Sequence, residues 1–268
     1  MSSLQAHYSA PDIESRILAS LRAAGLNPDQ CLSPKDLGAL DHFHTGGFRA
    51  SRELLDVAHI RAEDRVLDIG AGLAGSARMI ASLVGCRVDC VEMSHDYCAG
   101  ALLLNRLTGL EDRIKVQQGS ALDLPFADDS FDVAWMQNVG MNIADKRQLY
   151  REISRVLKPG GRFAFQEMTA GNMAPSYFPL PWATDPADSF LVAPEGMRSL
   201  LGEFGFTEEL FEDIGDIHLS RAANAAPAPP EQLGLSVFVD NLPQKAANSR
   251  RSLEEGQIRF VRGVFRTN

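Results

Sequence analysis

The stretch Val66-Leu67-Asp68-Ile69-Gly70-Ala71-Gly72-Leu73-Ala74-Gly75 constrains this chain more than any other. A short apolar run, glycines at 70, 72 and 75, and then an alanine-rich helical pattern read as strand, tight turn and helix. Glycines at this spacing let the backbone bend sharply, let a ligand approach the peptide groups and let the helix pack close against the strand. Such a turn cradles a nucleotide-like molecule. The spacing also satisfies the dinucleotide pattern G-x-G-x-x-G, so an NAD-dependent oxidoreductase is one reading. Asp68 argues for another. A carboxylate at the carboxyl end of the strand repels a pyrophosphate but accepts hydrogen bonds from an ammonium group, which favours a ligand with an amino-acid end.

From Arg65 onward apolar strands alternate with helical patterns: Arg65–Ile69, Gly75–Val84, Arg87–Glu92, His95–Thr108, Ile114–Gln118, Phe131–Gln137, Asp145–Val156 and Arg162–Met168. That alternation predicts an α/β fold, a parallel sheet with helices on both faces. Ahead of it, Ile13, Ile17, Leu18 and Leu21 recur at helical spacing. Ser33-Pro34-Lys35-Asp36 carries a cap residue, an N1 proline and an early acid, and Phe48 to Ala58 reads as a further helix. Between these lies the polar, glycine-ended loop Asp41-His42-Phe43-His44-Thr45-Gly46-Gly47. After Thr169 a proline- and aromatic-rich insertion, Gly171 to Ser189, interrupts the alternation. A helix from Pro194 to Phe204, a strand Glu208–Ile214 and an alanine–proline linker Ala222 to Pro230 follow. The tail Gln257 to Arg266 alternates as a strand that closes the sheet antiparallel. One domain of 268 residues is expected, with an N-terminal helical lid over 1–60, a core over 61–170, and a cap insertion with sheet completion over 171–268.

The formal charge of −9 argues against nucleic-acid or anionic-membrane partners, both of which are drawn by basic patches. Cys31, Cys86, Cys90 and Cys98 lack C-x-x-C spacing and read as packed free thiols of a reducing compartment. Met1 to Gln5 lacks the basic and apolar regions of a leader, and no run approaches a membrane span, so a cytoplasmic protein is expected. His42-x-His44 has no third ligand at compatible spacing, and no metal is expected.

Several segments carry chemistry together. Glu92 ends the second strand twenty positions after Gly72, where an acid can accept both hydroxyls of a ribose. Gly119-Ser120-Ala121-Leu122-Asp123-Leu124-Pro125-Phe126 follows the third strand, and Phe131 to Val139 forms the fourth. Val156-Leu157-Lys158-Pro159-Gly160-Gly161-Arg162 turns into the fifth. As a set these resemble the class I S-adenosylmethionine-dependent methyltransferases. His44-Thr45-Gly46-Gly47 and the aromatic cap are similar to the small-molecule enzymes acting on sarcosine, dimethylglycine and phosphoethanolamine.

The resemblance implies a Rossmann-like, mostly parallel seven-stranded sheet with an antiparallel last strand. It also implies S-adenosylmethionine as cofactor, S-adenosylhomocysteine as product and a small-molecule acceptor such as an amine, in a monomer or homodimer. On matching positions, Asp68, Gly70 and Gly72 would hold the methionine end with Gln137 and Asn138 beside it, and Phe43 and His44 would also contact the cofactor. Glu92 would bind ribose, and Met93, Ser120, Ala121 and Leu122 would enclose adenine. Ser120 stands where many relatives carry an aspartate, and Asn142 where amine enzymes of the family carry a histidine; an asparagine is no general base. His44, Glu167 and Tyr8 are the candidate catalytic groups, and Tyr177, Phe178 and Trp182 form either a cation–π cage or an apolar cover. A protein of this fold that uses the cofactor without methylating, or only binds it, is the alternative.

Overall fold

The computed structural model describes residues 8–42, 44–173, 177–224, 234 and 239–268. Its N-terminal part comprises α1 (Ile13–Ala23), a 3₁₀ turn (Pro34–Leu37), the short α2 (Gly38–Asp41) and α3 (Gly47–Ala58). The apolar positions of α1 that recur in the sequence, Ile13, Ile17 and Leu21, are its buried face. Ser33 starts the 3₁₀ turn as a reciprocal cap: its hydroxyl accepts from Lys35 N, and Asp36 accepts from Ser33 N at 3.1 Å.

The core then alternates β1 (Arg65–Ile69), α4 (Gly75–Val84), β2 (Arg87–Glu92), α5 (His95–Leu107), β3 (Ile114–Gln118), β4 (Phe131–Gln137), α6 (Lys146–Val156) and β5 (Leu157–Ala170). It closes with α7 (Pro194–Glu203), β6 (Phe206–Asp213), α8 (Gly215–Ala223), α9 (Leu242–Glu254) and β7 (Ile258–Thr267). The seven strands lie in the order β3-β2-β1-β4-β5-β7-β6, and β7 alone runs antiparallel to both of its neighbours. The central strands are buried on both faces, which is why β1 and β4 read as near-continuous apolar runs. Connections from β1 and β4 leave toward opposite sides of the sheet, so a crevice opens at their carboxyl ends.

Several expectations shift. β5 begins at Leu157 rather than Arg162, because Leu157 already pairs with Phe131 and a bulge absorbs the glycine turn before Arg162 pairs with Val133. β6 begins at Phe206, two residues before the expected start, where it pairs with Thr267 near the chain end. Ala222 and Ala223 belong to α8, a helix whose pattern the sequence reading passed over, and residues 225–230 of the expected linker lie outside the described residues. Met1 to Gln5, read for a leader, also lies outside them. Cys86, Cys90 and Cys98 are buried free thiols as expected, whereas Cys31 is exposed. No helix among the described residues is long and apolar enough to cross a membrane.

One buried ion pair fastens the N-terminal segment to the core. Arg78 on α4 is fully buried; its Nε donates to Asp41 at 3.1 Å, Nη2 donates to Asp41 and to the Leu73 carbonyl, and Nη1 donates to Asn105 at 2.6 Å. Gly75 is required at this junction, since a Cβ there would stand 2.1 Å from the Asp41 carbonyl oxygen. Removing one partner of such a pair strands a buried charge, at a cost of about 3–5 kcal/mol. Arg78→Met is therefore expected to lower the urea midpoint strongly, and Asp41→Asn in the same chain to recover part of the loss. A midpoint unchanged by Arg78→Met would show that the pair does not hold the segment down.

Candidate functional site

The crevice at the ends of β1 and β4 opens into a cavity of about 880 Å³. Its floor is the glycine turn. Gly70 and Gly72 sit at φ +69° and +54°, a left-handed backbone that L side chains rarely adopt, and a Cβ on Gly70 would stand 2.4 Å from Val139. Above Gly72 nothing lies within 4 Å of the Cβ position, so the turn leaves open space where a ligand can meet the peptide groups.

Two acids flank the turn. Asp68, 3% exposed, keeps Oδ2 buried without a hydrogen-bond partner, and burial, with the Glu92 charge second, raises its pKa to about 7. An orphaned carboxylate oxygen beside a cavity suits an ammonium group. Glu92 is already engaged: Oε2 accepts from Gly72 N at 2.9 Å and Oε1 from Ser94 N at 2.8 Å, so it ties the end of β2 to the glycine turn. Burial raises its pKa while these backbone N–H groups oppose the rise.

On the far side, Met93, Ser120, Ala121 and Leu122 line the wall beside β2 and β3. The Ser120 hydroxyl accepts from Leu122 N at 3.1 Å, so it serves the turn it stands in. Gln137 and Asn138 line the β4 side. Gln137 is the hub of a buried polar network: its Oε1 lies 2.9 Å from Trp135 Nε1, 2.7 Å from Ser76 Oγ and 3.0 Å from Ser51 Oγ, and its Nε2 donates to Gln166 at 2.6 Å. Asn138 takes φ +53°, donates Nδ2 to Thr45 Oγ1 at 3.2 Å and leaves Oδ1 buried without a partner.

The N-terminal segment supplies Tyr8, Asp41, His44 and Thr45 to the cavity wall, the insertion supplies Pro181 and Trp182, and Phe190 follows directly after it. His44 Nδ1 lies 3.2 Å from Thr45 O and Nε2 lies 2.8 Å from Ser51 Oγ; burial, then the neighbouring His42, lowers its pKa to about 3. Its imidazole is neutral and engaged at both nitrogens. Tyr8 Oη accepts from Asn142 Nδ2 at 3.0 Å, and burial drives the phenol well above its ordinary value. Phe43 lies outside the described residues.

Glu167, expected as a candidate base, is not among the described residues that line the cavity. Its Oε2 accepts from Gly140 N at 2.6 Å, and burial raises its pKa to about 7. Beside it Lys146, lowered by burial to about 8, donates Nζ to the carbonyls of Gly140 at 2.8 Å, Phe190 at 2.6 Å and Ile143. This pair clamps the loop after β4 and joins it to the insertion. Of the three aromatics read as either a cage or an apolar cover, two turn away from the cavity: Tyr177 stacks under Arg251 at 3.9 Å and donates its hydroxyl to Glu255 at 2.8 Å, while the half-buried Phe178 packs against the apolar cluster around Trp182. Trp182 alone of the three lines the cavity.

Sequence reasoning missed Ser51, Ser76, Met141, Met168, Phe190 and His218, all brought to the cavity or the network beneath it from distant elements. No local spacing signals them. Among the described residues no group of three or more His, Cys, Asp or Glu side chains is arranged to hold a metal.

Residues 67–165 match the methyltransferase domain family. Over 180 residues, 66% of this chain, the sequence is 32% identical to a glycine/sarcosine/dimethylglycine N-methyltransferase of Actinopolyspora halophila, covering 32% of that protein. Over 157 residues, 58% of this chain, it is 34% identical to a sarcosine/dimethylglycine N-methyltransferase of Aphanothece halophytica, covering 52% of it. The chain thus spans about a third to about half of these relatives' own lengths. In three dimensions it is similar to phosphoethanolamine N-methyltransferase 2 of Haemonchus contortus, solved with phosphomonomethylethanolamine and S-adenosylhomocysteine. The TM-score is 0.73 at 17% identity, over 100% of this chain and 61% of that one. The sheet order is that of the class I methyltransferase fold, and the stretch from β1 to β5, residues 67–165, which carries the glycine turn, matches the methyltransferase domain family.

Proposed function

We propose that this protein transfers a methyl group from S-adenosylmethionine to a small-molecule acceptor. The observation that carries the reading is the buried, unpartnered Asp68 Oδ2 beside a left-handed glycine turn with open space above it. Asp68 would take the ammonium of the methionine end, the Gly70–Gly72 backbone its carboxylate side, and Gln137 and Asn138 would complete that end. Glu92 has lone pairs beyond those used on Gly72 and Ser94, and these would accept the ribose hydroxyls; Met93, Ser120, Ala121 and Leu122 would enclose the base. The amine substrates in the relatives' names put an uncharged amine among the first acceptors to test. The net charge of −9 favours a small-molecule partner over nucleic acid, and buried free thiols favour the cytoplasm.

When bound, the cofactor supplies an activated methyl on a sulfonium, so the protein's main task is alignment. Holding two reactants in near-attack geometry is worth roughly 7–11 kcal/mol, against 10²–10⁴-fold for a general base. The three candidate bases fit alignment better than proton transfer. His44 is neutral, partnered at both nitrogens and a weak base; Tyr8 is held protonated and fixed by Asn142; Glu167 braces the loop after β4. We read the N-terminal segment and the insertion as covers that exclude water, since both contribute side chains to the cavity wall.

Calorimetry is expected to show S-adenosylhomocysteine binding and no competition by NADH; tight NADH binding without it would sink the reading. Glu92→Gln keeps one acceptor oxygen for Gly72 or Ser94 but loses charge-assisted bonds worth about 1.5–3 kcal/mol, so affinity should fall more than tenfold. An unchanged dissociation constant at equal thermal stability would remove Glu92 from the ribose role.

Cofactor binding should also depend on pH. Asp68 titrates near pH 7 in the free site and must be ionised to hold an ammonium, so binding below that pH expels a proton. Affinity should rise with pH up to about 7, by at most tenfold per unit, and then level off. Asp68→Asn should bind more weakly and flatten this rise. A wild-type affinity independent of pH between 5 and 7 would show that Asp68 does not meet the charged amine.

A further inference from the structure

The cavity is larger than the glycine turn and its flanking acids require, and its two halves differ in chemistry. At about 880 Å³ it lies near the top of the ~300–1,000 Å³ range of small-molecule sites, which leaves room for a second ligand beside a nucleoside. The acids Asp68 and Glu92, the network residues Ser76 and Gln137 and the glycines all belong to the half over β1, β2 and β4. The other half is built from Met141, Met168, Trp182, Phe190, Leu219 and Leu253, contributed by the loop after β4, the end of β5, the insertion and the residue that follows it, α8 and α9. These groups are sulfur, aromatic and aliphatic.

Among the described residues, the charged groups of that second half already have partners. Arg250 pairs with Glu254 at 2.8 Å along the last turn of α9, and Asp145 caps α6 by accepting from Gln148 N at 2.9 Å. Burial, then the positive charge of Arg221, lowers the His218 pKa, which keeps that imidazole neutral. The polar edge of Trp182 is satisfied as well, its Nε1 donating to Ser189 Oγ at 3.0 Å, so the buried ring meets the cavity as an apolar surface. At the rim, Phe190 lines the cavity and is yet 37% exposed, an aromatic that costs solvation unless something covers it. A zwitterion placed here would bring two charges into a region that offers, among the described residues, neither a free counter-charge nor an aromatic cage.

Building on the methyltransferase reading, we infer that the acceptor is an uncharged, predominantly apolar molecule, seated against Trp182, Phe190 and the methionines, rather than a zwitterionic amino acid such as sarcosine or dimethylglycine. The polar end of the acceptor then lies toward Asn142, whose Oδ1 is buried without a partner and suits a hydroxyl or N–H donor. Methionine and aromatic walls accommodate such a body without fixing its outline, and they repel charge.

The test uses the full chain and three probes. S-adenosylhomocysteine is titrated first and reports on the methyltransferase reading alone. 2-Naphthol, as the apolar probe with one donor hydroxyl, and sarcosine and dimethylglycine, as the zwitterions, are then titrated with and without it. Saturable 2-naphthol binding is expected, with no response to either zwitterion. Phe190→Ala should weaken 2-naphthol about tenfold while S-adenosylhomocysteine affinity stays within about twofold, because only the side chain of Phe190 is altered and its carbonyl still holds Lys146. Homocysteine-ligand binding with no naphthol response, zwitterion binding in its place, or naphthol binding indifferent to Phe190→Ala would each overturn the inference. If S-adenosylhomocysteine fails to bind, the methyltransferase reading falls, and the naphthol titration of the ligand-free protein still decides whether the second half of the cavity takes an apolar guest.

Discussion

The guanidinium of Arg78 is the constraint on which the arrangement of this molecule depends. A charge with no exposure is stable only when every donor is matched, and its partners come from three places: Asp41 at the start of the glycine-ended loop, the Leu73 carbonyl in the turn after β1, and Asn105 on α5. One side chain thereby fixes the N-terminal segment, the turn and the helix behind β2 with respect to one another. His44, Thr45 and Tyr8 reach the cavity because the segment that carries them is held there.

Beneath the cavity a second set of polar groups works in the same way. Gln137, Gln166, Ser51, Ser76 and Trp135 share hydrogen bonds across β4, β5, α3 and α4, and His42 and His44 extend the set into the N-terminal loop. In a low-dielectric interior such a network specifies one geometry, since breaking any member leaves a buried donor or acceptor unpaired. Lys146 and Glu167 do for the loop after β4 what Arg78 does for the N-terminus: one binds its carbonyls and the other its N–H. Around the cavity the buried charges brace the backbone more than they offer reactivity, which agrees with the proposed methyl transfer, whose main demand on a protein is alignment.

The two halves of the cavity are drawn from different parts of the chain. The half at the glycine turn lies within the stretch that matches the methyltransferase domain family, residues 67–165. The apolar half is made largely by residues beyond it: Met168, Trp182, Phe190, Leu219 and Leu253. Specificity in such a site depends on the parts laid over a common core, so the relatives' names guide the reading of the core better than that of the acceptor.

The sequence by itself determined the core. Its strands and helices follow from apolar periodicity, its crevice from glycines that only a sharp turn after a buried strand requires, and Asp68 and Glu92 were legible because both sit at strand ends a fixed distance from those glycines. The antiparallel β7 was legible from alternation, but its place between β5 and β6 was not, since register is chosen by partners far apart in the chain. The roles of single side chains were likewise decided in three dimensions. Glu167 reads as a free strand-end acid until Gly140 N and Lys146 are seen around it, and Tyr177 reads as part of a cage until Arg251 and Glu255 claim it. Sequence spacing reports which residues share an element's face; which buried groups satisfy one another is settled by tertiary packing alone, because hydrogen bonds and ion pairs form between elements whose approach no local pattern encodes.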